Sequence, residues 1–154
     1  MFATPSVTPG PTMPDPNPRQ GMSRWTLRLD GGFLAIAGSL GLLVDTAGHF
    51  FGVGPMAEML GSPYTIGGFE AHGLAAILGA FLLHAARLAE RRSWHALGLS
   101  VHALLGTANV VFWSSFLQLD VVAIGVATTA LHIVFVCAQV VCLRFGTRPR
   151  RSGW

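Results

Sequence analysis

The sequence contains no lysine and few charged residues of any kind. Only 11% of its 154 residues are charged, whereas soluble domains contain roughly 25%. With 51% hydrophobic residues and a mean hydropathy of +0.54, the chain has too few polar side chains to cover a surface that faces water. The composition therefore argues against an ordinary soluble domain and predicts a single-domain integral membrane protein.

Cysteines and known catalytic motifs are also scarce. The two cysteines, Cys137 and Cys142, lie within one apolar run and are expected to be small buried side chains. The sequence has no phosphate-binding loop, dinucleotide fingerprint, H-E-x-x-H or G-x-S-x-G motif. No catalytic residue can be assigned, which favours a protein that is not an enzyme.

Four apolar runs of about 20 residues dominate the chain and can each cross a hydrocarbon layer of about 30 Å. They cover residues 31–52, 68–89, 94–116 and 121–143. A backbone in lipid must satisfy its own hydrogen bonds, and short connections favour antiparallel neighbours. The sequence predicts an all-α integral membrane protein, a four-helix antiparallel transmembrane bundle.

The segments on either side of the bundle differ in composition. Residues 1–22 contain six of the nine prolines, which predicts a disordered, proline-rich cytoplasmic tail. Residues 23–145 form the predicted transmembrane domain, and residues 146–154 form a basic cytoplasmic tail. The loop between the first two runs is the only long one, and a short helix is predicted there around Met56, Met59 and Leu60.

Arginines predict the orientation, because all ten basic residues flank the runs on one side. They are Arg19, Arg24, Arg28, Arg87, Arg91, Arg92, Arg144, Arg148, Arg150 and Arg151. The positive-inside rule assigns this side, and with it both termini, to the cytoplasm. Because orientation in the membrane already explains where the arginines lie, they do not indicate a nucleic-acid site. We therefore expect the lipid bilayer, and no nucleic acid, as a partner.

One group of polar residues lies near the outer end of the first two runs. Asp45 and His49 share a helical face, and His72 is expected at a similar depth, close to Glu70. Imidazoles with carboxylates suit a transition metal, so Asp45, His49 and His72 are candidate metal ligands. The alternative is that Glu70 and His72 are simply solvated near the interface. An unpaired Asp45 would be costly in lipid, which makes Asp45 with His49 a candidate pair for a proton-coupled channel or carrier.

A second group lies at mid-depth on the third and fourth runs. His95, His102 and Asn109 recur every seven residues, opposite a stripe that contains His132 and Gln139. Such residues commonly join membrane helices by hydrogen bonds. The alternative is that His102 and His132 bind haem b between facing helices. His84 and His95 are expected near the cytoplasmic boundary, accessible to water.

Residues 51–83 resemble the DoxX-like group of small bacterial four-helix membrane proteins. The shared pattern is a proline-containing outer loop, then a glutamate and a Gly/Leu-rich second run, here from Glu70 to Gly79. The resemblance implies an accessory role near respiratory or redox systems of a bacterial inner membrane, without a catalytic residue to carry over.

Three functions follow as alternatives. The first is a non-catalytic accessory or structural subunit that binds other membrane subunits or itself. The second is a histidine-ligated haem b or metal-binding redox protein. The third is the proton-coupled channel or carrier.

Overall fold

The computed structural model describes residues 18–146, and within that range the chain is all-helical with no strand. Five α-helices follow one another, with a 3₁₀ turn at Ala57–Met59 after the first and a π-helical turn at Cys142–Gly146 after the last. They are α1 (Pro18–Phe51), α2 (Thr65–Ala85), α3 (Arg92–Val111), α4 (Trp113–Gln118) and α5 (Val122–Val141).

Helix α1 begins at Pro18, well before the first apolar run. Residues 18–22 are therefore helical, which corrects the prediction of a disordered tail for that part; the rest of the tail lies outside the described residues. Proline is tolerated in the first helical turn because its missing N–H would have no partner there. With 34 residues, α1 is about 51 Å long at about 1.5 Å per residue, which exceeds the thickness of a hydrocarbon layer.

Within residues 18–146, three helical segments are long and apolar enough to cross a membrane. They are Pro18–Phe51, Thr65–Ala85 and Val122–Phe145. The third predicted run corresponds to α3, which has 20 residues but is less apolar because it carries His95, His102 and Asn109. That run also ends early: the chain leaves helical geometry at Phe112, and α4 then places the Phe116 ring against Gly125, where a side chain would clash with it.

The long loop between α1 and α2 contains the predicted short helix, as the 3₁₀ turn at Ala57–Met59. Gly52, Gly54 and Gly61 have positive φ angles, which glycine adopts without steric cost. The Gly61 N–H donates a 3.0 Å hydrogen bond to the His49 carbonyl. The loop is thereby folded back over the end of α1.

Helices α1 and α2 pack closely along a ridge of small residues. Gly31 lies against Gly79 and Leu83, while Gly38 lies against Ala76 and His72. The contacts thus run in opposite order along the two helices. Small residues let helix backbones approach in this way, which is how helices associate in the absence of a hydrophobic driving force.

Helix α5 is the main partner of α3, and few contacts join this second pair to α1 and α2. The apolar cluster of Leu27, Leu34, Leu82, Ala85 and Ala86, with Trp94 and Val101 packed against it, lies where the two pairs meet. This meeting point is at the end of the molecule where α1 and α3 begin and α2 ends.

We expect Gly31→Ala to destabilise the protein by about 2 kcal/mol, because overpacking of this kind costs about 1–3 kcal/mol. The added Cβ would lie 2.7 Å from the Gly79 carbonyl oxygen and 2.8 Å from the Leu83 nitrogen. Gly32→Ala is the matched control, since nothing lies within 4 Å of a Cβ at that position. Thermal unfolding in detergent, followed by circular dichroism, checks this; equal melting temperatures for the two variants would contradict the packing described here.

Candidate functional site

Six polar side chains from three helices meet in the interior and form what we call the polar network. Each helix supplies two residues seven positions apart, and seven residues make nearly two helical turns, so both project from one face. The pairs are Ser23 and Asp30 on α1, His95 and His102 on α3, and His132 and Gln139 on α5. All six side chains are buried.

Asp30 is the centre of the polar network and uses both carboxylate oxygens. Its Oδ1 lies 2.6 Å from His102 Nε2, and its Oδ2 accepts a hydrogen bond from the amide nitrogen of Gln139. Asp30 is fully buried. An isolated carboxylate in such a place would be very unfavourable, and hydrogen bonds to the charged form offset that cost.

The network extends from Asp30 in two directions. On one side, Gln139 Oε1 lies 2.5 Å from His95 Nδ1, and His95 Nε2 lies 2.7 Å from the Ser23 hydroxyl. On the other side, His102 Nδ1 lies 2.8 Å from His132 Nδ1.

One set of protons satisfies every one of these bonds when the three imidazoles are neutral. Ser23 donates to His95, His95 donates to the Gln139 oxygen, and the Gln139 amide donates to Asp30. From the other side, His132 Nδ1–H donates to His102, which donates from Nε2 to Asp30. All the donors then point toward one carboxylate, so the bonds polarise one another in the same sense.

Aromatic side chains surround the histidine end of the network. The Phe135 ring stacks on His102 with centroids 4.8 Å apart, and Phe33 stacks on Phe135 at 5.4 Å. Beside these rings, His102 and His132 line a cavity of about 350 Å³ together with Gly106, Thr129 and Ile133. The network thus borders on a cavity at its histidine end, while Asp30 itself is fully buried.

His102 and His132 meet at one level, but their arrangement does not fit the haem that the sequence offered as an alternative. A bond from a metal to an imidazole nitrogen is about 2 Å long, so ligands on opposite sides of an iron stand about 4 Å apart. The two Nδ1 atoms are 2.8 Å apart in a direct hydrogen bond, and His102 Nε2 is bonded to Asp30. A porphyrin has no space between the two rings.

The predicted outer group is only partly brought together. Asp45 Oδ2 lies 2.7 Å from His72 Nδ1, and Gly41 makes room for that imidazole, since a Cβ there would collide with it. His49 instead packs edge-on against Phe50, while Glu70 is exposed. Within residues 18–146, no three His, Cys, Asp or Glu side chains converge in a way that could hold a metal ion.

Arg24 and Arg91 lie near the Ser23 end of the network. Arg91 precedes α3, and its carbonyl accepts the His95 N–H at 3.0 Å. Its side chain is largely buried; this desolvation, followed by the charge of Arg24, lowers the pKa of Arg91. We call this part of the molecule the basic end, and the part that contains Glu58, Glu70 and Asp120 the acidic end.

Sequence reasoning placed His102, His132 and Gln139 on facing stripes but missed Asp30 and Ser23. Asp30 directly precedes the first predicted apolar run, which begins at residue 31. Its seven-residue spacing from Ser23, which matches the spacing of the polar residues on α3 and α5, is the feature of the sequence that could have identified it. The expectation that His95 is accessible to water is wrong, because its side chain is fully buried. The His84 side chain is exposed on the outside of α2, and its position at the cytoplasmic boundary stays a prediction.

Comparison of the chain with protein-family models finds no match, and comparisons with curated proteins and with solved structures find none either. The resemblance of residues 51–83 to the DoxX-like group thus stays a prediction from those residues alone.

We expect Asp30→Ala to destabilise the protein by several kcal/mol. The substitution leaves His102 Nε2 and the Gln139 amide buried without an acceptor, and each such group costs about 1–3 kcal/mol. Glu70→Ala is the control, since this carboxylate is exposed and such changes stay within about 0.5 kcal/mol. Urea unfolding in micelles compares the two; an Asp30→Ala midpoint as high as that of Glu70→Ala would show that the network does not stabilise the fold.

Proposed function

We propose that this protein is a multi-pass membrane protein that reversibly binds a proton through Asp30, His102 and His132, which we call the proton relay. The observation that carries the proposal is the unbroken chain of hydrogen bonds from a buried carboxylate through two imidazoles to a cavity. Each member of this chain can both accept and release a proton.

The proposed architecture is an antiparallel four-helix bundle that crosses the membrane four times. In addition to the three most apolar segments, helix α3 forms the fourth crossing, because its 20 residues span about 30 Å. Its two histidines face the interior, which leaves side chains such as Leu104, Val110 and Val111 exposed on the outside. A surface of this kind suits lipid and not water.

Arginine placement supports a location in the inner (plasma) membrane with both termini in the cytoplasm. Residues 29–86 and 93–143 contain no arginine or lysine. Under the positive-inside rule the basic end is cytoplasmic and the acidic end faces outward.

Proton transfer along the relay follows from the hydrogen-bond directions. A proton that reaches His132 from the cavity moves the Nδ1 proton of His132 onto His102 Nδ1. His102 then releases its Nε2 proton to Asp30, which becomes a neutral carboxylic acid. The charges balance, since one proton enters at His132 and one carboxylate is neutralised.

Gln139 limits how far the proton can travel. Its amide nitrogen donates to Asp30 and its oxygen accepts from His95, but a carboxamide does not readily exchange protons in this way. The relay therefore stores a proton at Asp30 and does not form a continuous wire to Ser23. Because Asp30 on α1 is bound to residues of α3 and α5, its protonation alters the bonds that join the two helix pairs.

A second candidate function is the accessory or structural subunit favoured by the sequence. The observation in its favour is that few contacts other than the polar network and the apolar cluster join the two pairs. In that case the network only holds the helices together, and Asp30 keeps one protonation state. The resemblance to the DoxX-like group is compatible with either candidate, and the partners that it implies remain proposals.

The orientation predicts which loops are accessible from each side of the membrane. In a background with Cys137→Ala and Cys142→Ala, Glu58→Cys should react with an impermeant maleimide on intact spheroplasts. Glu90→Cys should react only after permeabilisation. Both positions are exposed, so the difference reports topology; labelling of Glu90→Cys on intact spheroplasts would overturn the orientation.

Infrared difference spectroscopy on reconstituted protein tests the proton relay. On acidification, we expect a carboxylic-acid C=O band that appears and that shifts in D₂O. The band should be lost in Asp30→Asn, which keeps the shape of the side chain, and retained in Glu70→Gln. A spectrum in which Asp30→Asn removes no titrating band would favour the structural candidate.

A further inference from the structure

A second cavity, of about 450 Å³, lies at the acidic end, where α1 ends and α2 begins. We call it the acidic-end cavity. Its polar wall includes Asp45, His49 and Thr65, and its apolar wall includes Phe50, Ile66 and Phe69. Cavities of roughly 300–1,000 Å³ that are mostly apolar, with a few converging polar groups, are typical of sites for small organic molecules.

Two polar atoms in this wall have no hydrogen-bond partner. They are Nδ1 of His49 and the hydroxyl oxygen of Thr65, both buried at the atom level. A buried polar atom left unpaired costs about 1–3 kcal/mol, so nearly all such atoms in folded proteins find a partner. Both residues line the same cavity as Asp45, and each of the two buried atoms becomes available to a bound molecule when its side chain turns toward the cavity.

The charge around the cavity indicates which kind of molecule this is. Asp45 is almost completely buried, and Glu58 and Glu70 lie at the same end, whereas residues 29–86 contain no arginine or lysine. A site lined by one sign of charge attracts the opposite sign. A cation would meet the Asp45 carboxylate, one oxygen of which is bonded to His72.

Hydrogen-bonding capacity and shape restrict the ligand further. A primary ammonium group has three N–H donors. The Asp45 carboxylate offers one acceptor, and neutral His49 through Nδ1 and Thr65 offer two more when their side chains turn toward the cavity. Phe50 and Phe69 can add cation–π attraction. Both rings, like Ile66, are largely exposed on the outside of the molecule, so an apolar group attached to the ammonium can reach the cavity from lipid.

From these contacts we infer that the acidic-end cavity binds an organic ammonium ion with an apolar, ring-sized body, with Asp45 as its counter-ion. This inference uses none of the residues of the proton relay and is independent of the proposed function. It gives the predicted outer group a role in binding an organic cation in place of a metal.

The test compares three probes of the same shape on protein in zwitterionic nanodiscs: 4-phenylbutylammonium, 4-phenylbutanol and 4-phenylbutyrate. Titration calorimetry measures binding, and empty nanodiscs correct for partition into lipid. On the wild-type protein we expect saturable binding of the ammonium, at least about tenfold tighter than the alcohol, because a charge-assisted hydrogen bond is roughly twice as strong as a neutral one. The carboxylate probe should not bind.

Variants connect that preference to the cavity. Asp45→Asn keeps the side-chain shape and should abolish the preference for ammonium over alcohol, and Thr65→Val should weaken ammonium binding about fivefold by removing one acceptor. Glu70→Gln is the control, because it removes a charge at the same end but outside the cavity wall, and it should bind within about twofold of wild type.

Three results would overturn the inference: no saturable ammonium binding to the wild-type protein, equal affinity for the alcohol, or an ammonium preference that survives in Asp45→Asn. The first two need no variant, so they hold even if a substitution prevents folding. If the ammonium does not bind, the Asp30 infrared band is still expected. If that band is absent, ammonium binding at the acidic-end cavity is still expected.

Discussion

The burial of the Asp30 carboxylate is the constraint on which the rest of the structure depends. A carboxylate without access to water needs donors for both oxygens, and His102 and Gln139 provide them from two other helices. Those donors must themselves be oriented, which brings in His132 on one side and His95 with Ser23 on the other. One charged group thus connects α1 directly to both α3 and α5.

The forces that hold α1 against α2 differ from those that join the two helix pairs to each other. Within the first pair, glycines and alanines let the backbones of α1 and α2 touch, so close packing supplies the attraction. Between the pairs such contacts are few, and the polar network adds hydrogen bonds that lipid cannot provide. An apolar side chain can replace its contacts with protein by contacts with lipid at little cost in free energy. A buried polar side chain cannot, because it would lose its hydrogen bonds. A protonation event at Asp30 can therefore alter how α1 associates with the second pair without disturbing the close packing of α1 against α2.

Asp30 and Asp45 show how surroundings give the same residue type different chemistry on one helix. Asp30 is enclosed by imidazole and amide donors and is linked through two histidines to a cavity, which suits proton storage. Asp45 has one imidazole partner, His72, and lines a mostly apolar cavity, which suits a bound cation. Fifteen positions apart along the sequence, at about 1.5 Å per residue, they lie at different depths and can act independently.

The sequence by itself determined the helical class, the three most apolar segments, the one-sided arginines and the facing stripes that contain His102, His132 and Gln139. These features depend on composition and on periodicity, which are local properties of the chain. Only the tertiary structure decided that Asp30 joins those stripes, that His95 is fully buried, and that Asp45 pairs with His72 and not with His49. Pairing between helices depends on where Gly41 and its neighbours let two backbones approach, and on small rotations about the helix axes. Neither quantity can be read from the spacing of residues along a single helix.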